Sequence, residues 1–394
     1  MTLLRDRLRA GLPRLSPLRV FIAVAACHGA LVLLSGVTLG GDSHSYDRWS
    51  SRLIESGFDY ASVAAEASAA SNFPAVLYAV FVSLVALLKL AFGANWPTAL
   101  VCLNVAADAG LAVLLVRLTL RATDSIAAGW TALILYLICF DSAHWVCFTL
   151  SDTSFGFLAF TIFALVAGRI LGDKTRWGGI ILLAIAGVFY RPTGIVLLPD
   201  LAWAAWLSRL KRPLARMRWL AAGGAAGIGG GALLFAAIVQ DPRRWPFGTL
   251  STAFGYVARD YRRGEVVSAR FETYHQAPSS LGDYLLISLD RFAHFFAPGA
   301  ADFSLAHWLL QLLFFIPAYG LAAWFLIAVA RGRTGLEERQ RRVFLAAAGA
   351  VLAYALFHGL VQVDFDWRYR LPILPHLILL AAGGVACLGR ERAR

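Results

Sequence analysis

The run "PAVLYAVFVSLVALLKLAFG", residues 74–93, decides the membrane topology of the whole chain. Its length matches what a helix needs to cross about 30 Å of hydrocarbon. Counting it as a crossing, however, reverses the side on which every later loop falls, and the charges of those loops oppose the reversal. The segments 5–19, 117–121, 168–176, 208–218, 331–342 and 389–394 carry 23 basic and 5 acidic residues, which leaves 13 basic and 19 acidic for the rest of the chain. Short basic loops stay on the cytoplasmic side. These six therefore share one face, provided that 74–93 lies in or dips into the outer interface instead of spanning. The leading Pro74, Lys89 and the following "GANWP" suit an interfacial helix with an aromatic anchor.

The class follows from composition. Of 394 residues, 59% are hydrophobic and 15% charged, with a mean hydropathy of +0.65. A backbone in lipid must satisfy its own hydrogen bonds, so an all-α polytopic membrane protein is expected. Apolar runs predict about ten transmembrane helices, at 18–39, 98–116, 126–143, 154–170, 177–190, 192–208, 219–239, 305–330, 343–362 and 371–388, plus interfacial juxtamembrane helices. The first run is too long for a secretory signal and has no clear cleavage site, so it reads as a retained helix. The chain forms one transmembrane domain, 1–394, with a first outer loop at 41–95 and a long outer loop at 240–304. The charge pattern places it in the cell inner (plasma) membrane with both termini cytoplasmic. The net charge of +12 is then topological, and no nucleic-acid partner is implied. Five cysteines, Cys27, Cys102, Cys139, Cys147 and Cys387, show no metal-ligand spacing and read as packing residues. Gly223, Gly227 and Gly231 allow a close helix approach.

The unusual polar residues gather on the outer face. Asp42 follows the first crossing closely, at the start of "GDSHSYDRWSSRLIESGFDY". Tyr46, Trp49, Leu53 and Ile54 fall there at roughly helical spacing and predict an amphipathic surface helix. Asp47, Glu55 and Asp59 read as its solvated face, whereas Asp42 is pinned at headgroup depth, where a carboxylate can take a proton. Asp152, preceded by Asp141 and His144, opens the run after 151, where Ser151 or Asp152 can cap the helix and a substrate role is equally open. Arg191 in "FYRPTG" has no acid near it in sequence, and a charge deep in a bilayer costs about 2.5–3.5 kcal/mol, so something must compensate it. Pro192 fixes the helix break beside it. Arg368 and Arg370 in "DFDWRYRLPILP" suit a phosphate, or salt bridges to Asp364 and Asp366. Asn104, Asp108 and Asp200 read as inward hydrogen-bonding groups. Seven arginines and seven acids balance in 240–304, whose aromatics can stack on sugars or seat the segment on lipid.

These stretches resemble the membrane-embedded glycosyltransferases of the GT-C class, in particular the protein O-mannosyltransferase and aminoarabinose transferase branch (glycosyltransferase family 39-like). "GDSHSYDRWSSRLIESG" looks like that family's first outer loop, and "SNFPAVLYAVFVSLVALLKLAFG" its interfacial helix. "LSDTSFGFL" is similar to the second acidic site, "YRPTGIVLLP" to the arginine-proline helix start and "RYRLPILPHLILLAAGGV" to the closing helix. Family members often carry two adjacent acids in the first loop; here Ser43 follows Asp42. The chain is also short for the class, without a separate soluble domain.

The resemblance implies transfer of a sugar from a polyprenyl-phosphate donor to a lipid, glycan or protein acceptor on the non-cytoplasmic face, with inversion. It implies Asp42 as base, Asp152 as second carboxylate, and Arg191, Arg368 and Arg370 at the donor phosphate. Tyr46, Asp47 and His144 are expected beside substrate. No cofactor is certain, and a divalent cation is compatible. Two rival readings stand: a polytopic transporter or lipid flippase using Asp108, Asp200 and Arg191, and a non-catalytic subunit of an envelope glycan assembly complex.

Overall fold

The computed structural model describes residues 15–71, 75–209, 257–361 and 368–391. Among them the regular structure is helical, and β-pairing is limited to one isolated bridge between Thr38 and Phe148. Six helical segments are long and apolar enough to cross a membrane: Pro17–Ser35, Ala79–Thr123, Asp152–Leu171, Leu305–Ala330, Glu338–Leu360 and Arg368–Arg390. Ile126–Leu137 and Trp177–Val188 are apolar but shorter. The expected crossing at 219–239, with its glycine triplet, lies outside the described residues, as do Asp364 and Asp366.

In chain order the helices are α1 (Pro17–Ser35), α2 (Ser43–Glu55), α3 (Tyr60–Ser71), α4 (Ala79–Phe92), α5 (Trp96–Thr123), α6 (Ile126–Leu137), α7 (Phe140–Trp145) and α8 (Asp152–Leu171). After them come α9 (Trp177–Val188), α10 (Leu197–Arg209), α11 (Leu281–Phe295), α12 (Leu305–Ala330), α13 (Glu338–Leu360) and α14 (Leu374–Glu391). Short 3₁₀ turns, Ala75–Tyr78, Pro192–Val196 and Arg368–Ile373, lead into α4, α10 and α14.

The closing helix is the centre of the bundle: 89% of its apolar window is buried, against 17% for α1. Small residues make that possible. A Cβ on Gly384 would meet the Leu321 carbonyl oxygen at 2.5 Å, and one on Gly383 would press Phe344 and Phe325, so α14 lies close against α12 and α13. Helix α1 is peripheral and buries a single stripe, Val20, Val24 and His28, at the four-residue spacing that puts side chains on one face.

The basic loops meet at one end of the bundle. Arg121 bonds Asp173 through both guanidinium nitrogens at 2.9 and 2.8 Å, Gln340 donates to Asp124, and Arg390 donates to the carbonyls of Thr123 and Gly335. Four of the six segments sorted together by charge are thus neighbours in space.

At the opposite end, α4 lies along α2. Lys89 is held by the Asp47 carboxylate at 2.7 Å, the Asp47 carbonyl at 2.6 Å and the Ser51 hydroxyl at 2.7 Å, and sits 5.5 Å from the Trp96 ring that opens α5. The start of α4 stays there too, with Val80 N–H donating to the Phe189 carbonyl. The two ends of α4 thus contact α2 and the residue after α9, and α5 starts where Lys89 meets Trp96.

Candidate functional site

A chain of charged side chains, two acid–arginine pairs joined through one aromatic ring, lies at that end. Asp42 occupies the N-cap of α2, yet its side chain makes no capping bond there; it reaches Arg368 Nη1 at 2.9 Å. Arg368 lies 5.2 Å from the Tyr369 ring centre, and the same ring receives the Arg191 guanidinium at 4.9 Å. Arg191 in turn bonds Asp152. Two carboxylates and two guanidinium groups are thus organised around one aromatic ring, as cation–π attraction allows.

The two ends of this chain differ in exposure. The Arg191–Asp152 pair is buried, with side chains 5% and 3% exposed, whereas Asp42 is 45% exposed. Asp152 compensates the arginine for which sequence offered no neighbour. It supplies no cap to α8, and neither does Ser151, so the capping reading of Asp152 is not realised; its carboxylate pairs with Arg191 instead. Arg191 itself sits in extended backbone immediately before Pro192, the fixed break expected from the sequence. The break is tight: a Cβ on Gly194 would fall 2.0 Å from the Gly187 carbonyl oxygen, so the end of α9 and the following 3₁₀ turn touch backbone to backbone.

The first loop is brought to Asp152 by hydrogen bonds between loops. Thr38 N–H donates to the Cys147 carbonyl at 3.0 Å, and Thr149 N–H to the Thr38 carbonyl at 3.0 Å. Ser43 is central to this tie: its hydroxyl donates to the Thr149 carbonyl at 3.1 Å and accepts from the Thr149 hydroxyl at 2.7 Å and from Gly40 N–H. The residue that stands where relatives of the resembled class often carry a second acid is therefore a fastener between loops.

Aromatic side chains form the floor. Tyr46 packs on Tyr78 at 5.4 Å and on Phe81 at 4.8 Å, and Phe81 on Tyr190 at 5.4 Å. Burial pushes the Tyr46 and Tyr78 phenols above their ordinary range, so both remain protonated donors beside Asp42 and Arg191. Tyr78 and Tyr369 were not singled out from sequence. The tyrosine that opens the interfacial helix and the "RYR" spacing were the available signals.

Three expected site residues stand apart from this cluster. Asp47 joins α2 to α4 through Lys89. Arg370, 1% exposed, is engaged by Asp141 at 2.7 Å and by the Ala297 carbonyl at 2.5 Å, with Gln311 Nε2 bonding the other Asp141 oxygen at 2.5 Å. It pins α14 to α7 and α12. His144, half-buried, stacks on Phe140 at 5.3 Å, next to Asp141. Deeper in the bundle, Asp108 accepts from Tyr136 at 2.5 Å and Ser142 at 2.8 Å and pairs with His28 Nδ1 at 2.6 Å, and Asn104 donates to the Phe148 carbonyl at 3.0 Å. Both are the inward hydrogen-bonding groups expected.

Among the described residues no three His, Cys, Asp or Glu side chains gather at metal-binding distance, and both site carboxylates meet guanidinium groups. A scan of protein-family models, a search of curated proteins and a search of solved structures found no match to this chain.

Proposed function

We propose that the chain is a GT-C-like membrane glycosyltransferase that moves a sugar from a polyprenyl-phosphate donor to a hydroxyl or amine acceptor on the non-cytoplasmic face. In this reading α6 with α7, α9 and the stretch 192–209 are further crossings. With 219–239 they complete ten, and the basic end faces the cytoplasm. The observation that carries the proposal is the half-exposed Asp42 bonded to Arg368, which shares the Tyr369 ring with the buried Arg191.

The chemistry follows from that arrangement. The donor's phosphate, a singly charged diester, competes with Asp42 for Arg368 by offering two oxygens to the guanidinium fork, and it gains its second charge as the sugar leaves. Binding of the donor therefore frees the Asp42 carboxylate beside the reacting sugar. The acceptor oxygen or nitrogen attacks the anomeric carbon as Asp42 takes its proton. The bond from that carbon to the phosphate oxygen breaks, and its electron pair leaves on the phosphate, where Arg368 and Arg191 stabilise the growing charge. One displacement gives inversion. Asp152 keeps Arg191 in place.

Of the two intramembrane acids a transporter would draw on, Asp108 is consumed by His28, Tyr136 and Ser142, which withdraws that residue's support for the alternative. The deciding experiment incubates purified protein with labelled polyprenyl-phosphate sugars and membrane extract. Release of polyprenyl phosphate is expected, with a loss of about 10²–10⁴-fold in Asp42→Asn. Equal release by that variant, while it still inserts and binds the donor, would sink the proposal.

A further inference from the structure

Below the charged cluster, a small, partly open cleft of about 20 Å³, room for one water-sized group, lies between α8, α10, α13 and α14. Its walls are apolar, among them Phe163, Leu197 and Leu201, but three polar side chains line it: Asp200, Tyr354 and His376. The Tyr354 hydroxyl is buried and has no hydrogen-bond partner. His376 bonds the Pro372 carbonyl through Nδ1 at 3.0 Å. A carbonyl only accepts, so Nδ1 carries the hydrogen and the neutral ring presents a lone pair at Nε2.

The carboxylates of the bundle show why this cleft is unusual. Asp108 holds His28, Asp141 holds Arg370 and Asp152 holds Arg191. Asp200 forms no ion pair or hydrogen bond among the described residues. A carboxylate drawn out of water without a cation is costly. The break in the pattern coincides with an open cleft and an unsatisfied phenol, and what these groups lack is a cation that donates hydrogen bonds.

We propose that the cleft is a binding site for the primary ammonium group of a membrane-dissolved amphiphile. The ammonium sits between Asp200 and the Tyr354 hydroxyl, within reach of the imidazole edge, and its chain follows the apolar walls. A primary ammonium supplies three N–H donors together with the missing charge; a quaternary ammonium supplies the charge alone, and a fatty acid neither. The site is independent of sugar transfer, since none of its polar groups belongs to the Asp42–Arg368 cluster.

The test is native mass spectrometry of the detergent-purified chain with dodecylammonium, dodecyltrimethylammonium and dodecanoate. Dodecylammonium is expected to bind at least about tenfold more tightly than the other two, a preference worth one or two charge-assisted hydrogen bonds. Asp200→Asn should abolish the preference, Tyr354→Phe should weaken it several-fold at an unchanged melting temperature, and Asp42→Asn should leave it intact. Equal affinity for the primary and quaternary amphiphiles, or an undiminished preference in both Asp200→Asn and Tyr354→Phe, overturns the assignment. Because the readout is binding, its outcome is separate from that of the transfer assay.

Discussion

Arg191 and Asp152 are the pair on which the buried half of the site rests. Both are nearly inaccessible, and removing one partner leaves the other's charge uncompensated, which costs about 3–5 kcal/mol, whereas removing both is often far milder. Arg191→Met and Asp152→Asn should each lower the thermal midpoint in detergent sharply, and the double variant should recover much of the loss. Additive losses would show that the two residues are not coupled. That Arg191 needed a partner was legible from its apolar flanks. Which acid would supply it was not, since the answer sits 39 positions away and depends on how α8 meets the turn after α9. The same holds for Arg370 and Asp141, 229 residues apart, where nearby acids in sequence offered an equally plausible local pairing.

The turn that carries Arg191 is set by backbone contact. Gly194→Ala places a methyl group inside the Gly187 carbonyl, with no flexible side chain to yield. Overpacking of this kind costs about 1–3 kcal/mol or more, and the expected result is reduced folded yield on size exclusion with displaced Arg191 and lost transfer. Wild-type yield and activity would show that the turn relaxes freely. The contact of α4 with α2 has a different origin: charge counting over the entire chain asks for 74–93 to lie in the interface, and Lys89 finds its partners on α2. The role of Ser43 was invisible, because a serine's hydrogen-bond partner across two loops leaves no periodicity to detect.

Across the whole molecule, the two ends carry opposite kinds of loop, and their placement on opposite sides of a bilayer is directly measurable. In a cysteine-free background, Asp59→Cys and Lys174→Cys put single thiols at exposed positions near the two ends. A membrane-impermeant maleimide added to intact cells should label the first and reach the second only after permeabilisation. Labelling of both thiols from one side would mean that 74–93 crosses after all. The division of the fold into long and short helices was less legible, since hydropathy gives α6 and α9 the same standing as α12 although each is only twelve residues long.

Among the described residues the cluster around Tyr369 contains two acids and two bases, whose charges balance. An anionic lipid is then not drawn in from afar; it is admitted by exchange, one oxyanion displacing another from the same guanidinium. Long-range steering shows itself as an on-rate that falls steeply with ionic strength. Donor capture here should instead proceed at nearly the same rate in dilute and concentrated buffer, and stopped-flow measurement with a fluorescent polyprenyl-phosphate sugar would register the difference.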